Sequence, residues 1–190
     1  MLMYKVNEIF YSLQGEGFHT GKAAVFVRLA GCNLRCPFCD TDFSSFTLMT
    51  AAQIAERVFA YSTDADTLIV LTGGEPSLQA DAALTEALHR YGQTITIETN
   101  GTHPLPDGID WVTLSPKAGT KIVLPRADEV KVVLTADTLP DLPRWLEVYP
   151  DAHHYLQPCS QTNTEDAVAY ILSHPAWRLS LQTHKYIHIS

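Results

Sequence analysis

Short apolar runs that stop at polar turns recur along this chain, and they constrain its fold more than any other feature. Thr67–Leu71 (TLIVL) is almost wholly apolar and ends at Thr72-Gly73-Gly74, as a strand buried on both faces does in a parallel sheet. Ala23–Leu29, Thr94–Glu98, Trp111–Leu114, Glu129–Leu134 and His154–Gln157 read as further strands. Helical patterns lie between them. Ala51–Tyr61 follows Thr50 and Gln53 at capping-box spacing. Asp81–Tyr91 carries Ala83, Leu84, Ala87, Leu88 and Tyr91 on one stripe. Thr162 with Glu165 forms a second capping box ahead of Asp166–Ser173. Asp137–Pro150 stays ambiguous, because its prolines interrupt a helical start at Trp145–Tyr149, while Leu179–Ser190 alternates enough to be extended. Strands joined by crossover helices predict an α/β fold with a mainly parallel sheet. In such sheets ligands gather at the carboxyl ends of the strands.

The polar residues fall at those ends: Thr72–Pro76 (TGGEP), Glu98–Gly101 (ETNG), Ser115-Pro116-Lys117 and Gln157-Pro158. Any one of these is ordinary turn chemistry, but several at the same end of successive strands build one site. No repeat or linker divides the chain, so residues 1–190 are expected to form a single domain. With 46% apolar and 18% charged residues, the composition is that of a globular chain. Its 21 acidic against 13 basic residues, a net charge of -8, suit no general nucleic-acid binder. No apolar run approaches the ~20 residues of a membrane span, and Met1–Phe10 lacks a signal-peptide core. The expectation is a cytoplasmic chain with no nucleic-acid or membrane partner, in a compartment where thiols stay reduced.

Three of the four cysteines, Cys32, Cys36 and Cys39, lie at C-x3-C-x2-C spacing. Under reducing conditions such a cluster reads as a metal or cofactor site. A structural zinc normally takes four protein ligands, and the fourth cysteine, Cys159, is distant in sequence. Three thiolates suit a [4Fe-4S] cluster with one iron open to a small molecule. Zinc and three merely buried thiols remain the alternatives. Cys159 reads as a buried structural thiol.

This cysteine loop, followed by Gly73-Gly74-Glu75-Pro76, resembles the radical S-adenosylmethionine (SAM) superfamily. Further segments are similar to one of its families, the 7-carboxy-7-deazaguanine synthases: Asn7–Phe10, Leu13–Gly17, Phe26–Leu29, Cys39-Asp40-Thr41, Glu98–Thr102, Val112–Lys117, Leu156–Pro158 and Gln182–Tyr186. The likeness runs from end to end, although the crossover between Thr41 and Thr72 is short. The resemblance implies a partial (β/α)6 TIM-like barrel and a homodimer. It implies conversion of 6-carboxy-5,6,7,8-tetrahydropterin to 7-carboxy-7-deazaguanine with loss of ammonia. The reaction would use a [4Fe-4S] cluster, SAM regenerated as a cofactor, Mg2+, and an electron donor such as flavodoxin or ferredoxin. SAM cleavage would generate the 5′-deoxyadenosyl radical that abstracts hydrogen from the substrate.

By the same resemblance, Cys32, Cys36 and Cys39 would hold the cluster and Thr41 the magnesium. Phe38, Asp40, Gly74, Glu75, Ser115, Pro116, Lys117 and Gln157 would line the SAM site, with the glycine pair letting the backbone approach the methionine end. Leu13, Gln14, Gly15, Glu16, Arg28, Thr72, His184 and the carboxylate of Ser190 would meet the pterin, and Arg28, Glu16 and His184 would be catalytic. Read without the resemblance, several of these have plainer roles. Gln14 and Glu16 would cap a turn, Arg28 would be a structural ion pair, Thr41 a turn residue or N-cap, and His184 a surface or core-edge histidine. Glu98 would pair with Lys117 or Lys131 inside the barrel. Tyr186, Ile187 and Ile189 are expected to anchor the tail by packing.

Two other functions compete. A glycyl-radical activase would need a face for a partner protein, whereas the polar residues here suit a small heteroaromatic acid. A zinc-binding module would yield colourless protein where an iron–sulfur enzyme is brown.

Overall fold

The structure is a computed structural model, and it describes every residue except Met1, Asp40, Phe43 and Ser190. The chain runs through β1 (Tyr4–Leu13), β2 (Ala23–Leu29), β3 (Thr47–Met49), α1 (Ala51–Tyr61), β4 (Leu68–Gly73), α2 (Ala82–Leu88), β5 (Ile95–Thr99), β6 (Trp111–Leu114), β7 (Glu129–Leu134), α3 (Leu142–Val148), β8 (His153–Pro158), α4 (Thr164–Ser173), β9 (Arg178–Leu179) and α5 (Thr183–Ile187). The strands form one sheet in the order β3-β1-β2-β4-β5-β6-β7-β8-β9. From β2 through β4 to β9 every neighbouring pair is parallel, while β1 joins β2, and β3 joins β1, antiparallel. The sheet stays open between β3 and β9, which makes it a partial (β/α)6-type barrel. No helix among the described residues is long and apolar enough to cross a membrane.

The outer face of the sheet carries the main core. Ile69, Leu71, Ile95, Ile97, Val130 and Val132 pack there with Ile54 and Val58 of α1, Leu84 and Leu88 of α2, and Trp145 of α3. A seven-residue helix such as α2 is too short to persist alone. Burying Leu84 and Leu88 contributes about 1.5–3 kcal/mol each, which outweighs helix propensity here. Inside the barrel, Ala24, Leu68 and Val70 with Phe26 form a separate small cluster that closes off the amino-terminal ends of the strands.

Several sequence expectations change at this level. β1 was not among the predicted strands: a register shift between Val6 and Glu8 breaks its alternation. The stripe on α2 is Leu84, Thr85 and Leu88, while Ala83 and Tyr91 are exposed, because the helix passes into a 3-10 turn at His89–Tyr91. Two crossovers, β5 to β6 and β6 to β7, contain no helix. The short crossover before β4 is the hairpin partner β3 followed by α1, whose Thr50–Gln53 capping box is present as predicted. Thr162 does not cap α4. Its hydroxyl donates to the Cys159 carbonyl at 2.7 Å, and Asn163 takes the N-cap position. The ambiguous stretch resolves into a 3-10 turn, Leu139–Asp141, leading into α3, with Pro140 and Pro143 in first-turn positions where no N–H is needed and Pro150 beyond the helix end. The tail is not extended; it turns into α5.

Candidate active site

Side chains alternate across the sheet, and the register carries that alternation from strand to strand. Arg28 of β2 faces Thr72 of β4, Glu98 of β5 faces Thr113 of β6, and Val133 of β7 faces Gln157 of β8. On β2 and β4 the inward residues are apolar at the start of the strand and polar at its carboxyl end, and on β5 and β7 polar side chains continue that inner face. There they line a cavity of about 840 Å³, together with the loops that follow the strands. The cavity receives Leu13, Gln14, Gly15, Glu16, Arg28, Cys32, Cys36, Phe38, Cys39, Thr41, Thr72, Gly74, Glu75, Ser115, Lys117, Gln157 and His184. Pro116 is buried and does not line it, and Asp40 and Ser190 lie outside the described residues.

The cavity's electrostatic centre is Lys131, which is 3% exposed. Its Nζ lies 2.5 Å from Glu16 Oε2 and 3.4 Å from Glu98 Oε1. Gln14 Nε2 donates to Glu98 Oε1 at 3.1 Å, and Gln14 Oε1 accepts from the Glu16 amide at 3.1 Å. Gln182 Nε2 donates to Glu16 Oε1 at 3.0 Å, and Lys185 donates to Gln182 Oε1 at 2.8 Å. Burial alone would push the Glu16 carboxyl up, but the Lys131 ammonium and the hydrogen bonds from Lys131 and Gln182 hold it below the ordinary carboxylate range. Burial opposes the charge on Lys131, yet Glu16, Glu98 and Glu129 around it raise it well above an ordinary lysine. Glu129, two residues before Lys131 on the same inner face, is pushed up by burial. Its Oε2 accepts from the Phe18 amide at 3.1 Å, and its Oε1 has no partner among the described residues. Of the two lysines weighed for Glu98, the structure selects Lys131.

Arg28, which also lines the cavity, donates through Nε to Glu8 at 2.7 Å and lies over the Phe10 ring, 5.6 Å from its centroid. A guanidinium has five N–H donors. Beyond Glu8, a 3.4 Å contact from Nη1 to Thr41 Oγ1 is its other hydrogen bond among the described residues. Arg28 is thus both an ion-pair partner and a donor held at the cavity wall.

The cysteine loop crosses the mouth of the barrel. All three thiols are free and line the cavity. Burial raises the Cys32 thiol, partly offset by the Leu34 amide, which lies 3.4 Å from its sulfur. Among the described residues no three His, Cys, Asp or Glu side chains stand grouped to hold a metal ion as they are. The donor set nonetheless fits an iron–sulfur centre: three thiols in no disulfide, on one loop that lines a roomy cavity. Cys159 corrects its reading as a buried core thiol, because it is half-exposed and lines the same cavity.

The glycine pair has a reason the sequence did not reveal. A Cβ at Gly73 would collide with the Leu29 carbonyl, and one at Gly74 with the Gly31 carbonyl, so both glycines admit the chain's own backbone at the base of the cysteine loop. Glu75 is 1% exposed and accepts from Ser77, from the Thr99 hydroxyl at 2.6 Å and from the Asn100 amide at 2.7 Å. Asn100 in turn donates to Asn33, between Cys32 and Cys36, at 3.0 Å. Glu75 therefore acts as a brace between the β4 turn, the β5 turn and the cysteine loop. Lys117 Nζ folds back onto the carbonyl and hydroxyl of Ser115, both at 2.7 Å, and burial lowers its pKa.

The tail runs antiparallel to the β1–β2 loop. Ser180 accepts from the Gly17 amide at 3.0 Å, Gln182 meets Glu16, and the Thr183 amide donates to the Gly15 carbonyl at 2.9 Å. His184 packs on Gly15 so closely that a Cβ there would strike its ring. Hydrogen bonds, not packing, hold this segment: Tyr186, Ile187 and Ile189 are exposed. Sequence reasoning singled out neither Glu8 nor Gln182 as a site residue. Each lay inside a quoted motif, and that was the available signal.

Residues 27–131 match the model of the radical SAM superfamily. The chain is 53% identical to the 7-carboxy-7-deazaguanine synthase of Bacteroides thetaiotaomicron, over 99% of this chain and 100% of that protein. It is 45% identical to the enzyme of the same name from Bordetella pertussis, again over 99% and 100%. The crystal structure of QueE from Escherichia coli superposes with a TM-score of 0.82 at 30% identity, covering 96% of this chain and 95% of that one.

Proposed function

We propose how this chain, which belongs to the 7-carboxy-7-deazaguanine synthases of the radical SAM superfamily, divides its cavity between a cofactor half and a substrate half. The enzyme converts 6-carboxy-5,6,7,8-tetrahydropterin to 7-carboxy-7-deazaguanine with loss of ammonia, a ring-contracting lyase step toward queuosine and related 7-deazapurines. A [4Fe-4S] cluster and SAM, when bound, supply on reduction the carbon-centred radical that starts this chemistry.

Cys32, Cys36 and Cys39 hold the cluster, one thiolate each. Phe38, Gly74, Ser115, Lys117 and Gln157 line the SAM end. Glu75 and Pro116 act indirectly, by bracing and shaping the turns. On the substrate side Arg28 turns its remaining N–H donors toward the carboxylate of the pterin. Lys131 keeps Glu16 ionised, so that its oxygens accept from the N–H groups of the guanine-like edge. Gln14 and Glu98 fix the orientation of that acceptor, and Leu13, Gly15, Thr72 and His184 complete the pocket. Thr41 gives Mg2+ one oxygen, which suits an ion that keeps its waters and uses substrate oxygens. Residues 1–190 act as one domain and as a homodimer, reduced by a flavodoxin or ferredoxin.

One observation carries the division. The three-thiol loop and the Lys131–Glu16–Glu98 cluster come from distant parts of the chain and line one and the same cavity. An anaerobic assay with SAM, reductant and 6-carboxytetrahydropterin tests the activity. Product and ammonia should form in equal amounts while SAM is not consumed. Cleavage of SAM without product would overturn the substrate assignment.

A further inference from the structure

Ser180 sits just past β9, 3% exposed, and joins the two halves of the cavity. Its Oγ lies 3.0 Å from the Gly17 amide nitrogen and 2.9 Å from Gln157 Oε1. A backbone N–H can only donate, so the hydroxyl accepts there. Its single hydrogen points to Gln157 Oε1, the one acceptor it has among the described residues. That requires Gln157, itself 4% exposed, to turn its oxygen toward Ser180. The NH2 group is left for the cavity that Gln157 lines, and it makes no hydrogen bond among the described residues. An amide free to flip would present either a donor or an acceptor to a ligand; a flip here would leave the buried Ser180 hydrogen without an acceptor among the described residues, so Ser180 disfavours it.

The other end of this relay is Gly17, the last residue of the Gln14–Gly17 loop. Substitution there is restricted, since a Cβ would strike the Glu129 carboxylate and the residue adopts φ 65°. A ligand that accepts from the Gln157 NH2 polarises the hydrogen bond to Ser180 and then the one to Gly17. Such a ligand steadies the loop that carries Gln14 and Glu16.

Resting on the division of the cavity given above, we propose that Ser180 is a positioning residue. It sets Gln157 as a donor toward the cofactor and ties that donor to the substrate loop, so that SAM and the pterin bind cooperatively. Coupling between two sites is reciprocal, and each ligand tightens the other by the same factor.

Isothermal titration of SAM into the anaerobic, cluster-loaded, oxidised enzyme tests this, since without reductant no turnover occurs. The SAM affinity is measured with and without saturating 6-carboxytetrahydropterin. The parent enzyme should show at least about fivefold tightening, and Ser180→Ala should bring that ratio close to one. Ser180→Cys, which keeps the volume but hydrogen-bonds weakly, should behave like Ser180→Ala and serves if the latter does not fold. Independent binding in the parent, or parental coupling in either variant, would overturn the role of Ser180. A parent enzyme that binds neither ligand would instead overturn the assignment of the cavity.

Discussion

Lys131 Nζ lies 2.5 Å from Glu16 Oε2, joining residues 115 apart in sequence and tying β7 to the loop after β1. Both side chains are withdrawn from solvent, and burying such a pair is costly unless every remaining polar atom is satisfied. Gln182 supplies a donor to Glu16 and Glu98 a second carboxylate to Lys131, with Gln14 in turn donating to Glu98. Removing one member of a buried pair is more damaging than never having had it, because the partner's charge stays behind. The pair is therefore read as a device for keeping an ionised acceptor in the pocket rather than as a source of stability.

Lys131→Met should destabilise the protein by about 3–5 kcal/mol, leaving Glu16 and Glu98 uncompensated. Adding Glu16→Gln to it should recover part of that loss without restoring turnover. Urea denaturation of both variants checks the first statement and product formation the second. If the double variant is no more stable than the single, Lys131 is not compensated in the way described.

Cys32→Ala, Cys36→Ala and Cys39→Ala should each abolish stable cluster loading, whereas Cys159→Ala should retain it. Iron and sulfide are counted in each purified variant. Because Cys159 lines the same cavity, the measurement is a genuine choice between four thiols. Loss of the cluster in Cys159→Ala with folding intact would assign it a ligand role.

Glu129→Gln should change the pH dependence of stability. Burial raises the Glu129 carboxyl above its ordinary value of 4.5, so the folded protein keeps this proton where the unfolded chain has lost it. Stability from this group is full below the unfolded value and is lost as pH rises toward the raised folded one. Glutamine does not titrate. The stability of Glu129→Gln relative to the parent should therefore increase from pH 4.5 upward, as read by denaturant unfolding at several pH values. Parallel curves would place Glu129 among ordinary ionised carboxylates.

Thr41→Ala should weaken the response of turnover to Mg2+ while SAM affinity is kept, because a lost hydroxyl removes one oxygen from a hard cation. Magnesium titrations of the two proteins make the comparison. Coinciding curves would leave Thr41 as no more than the contact of Arg28 seen at 3.4 Å.

A C-terminal extension should raise the KM for the pterin severalfold and leave iron content unchanged. The tail is held to the Gly15–Gly17 loop by directional hydrogen bonds, with its apolar residues exposed. A tag has no packed core to disrupt there and acts on the pocket alone. Equal KM values for N- and C-terminally tagged enzyme would remove the tail from the substrate site.

The amino-acid sequence by itself determined most of the strands. β2, β6 and β7 begin and end where their apolar runs do, and α1 begins at its capping box. Period, capping and turn chemistry are local properties, and a window of a few residues contains them. The same locality explains the placement of the cysteine loop and the Gly-Gly turn at the carboxyl ends of strands. It also explains the misses. β1 is interrupted by a register shift. Thr162 and Glu165 match a capping pattern that the preceding 3-10 turn uses differently. The tail takes up α5 only where Gly15 and Glu16 receive it.

Only the tertiary structure decided which charges meet. Glu98 had two lysines in prospect, and strand order and register bring Lys131 to it and leave Lys117 folded on Ser115. Ser180 and Gly17, 163 residues apart, have no local signature at all. Ion pairs and buried hydrogen bonds follow from how the strands stack. That stacking is set by covering the whole outer face of the sheet with apolar side chains, a condition no single segment of the sequence contains.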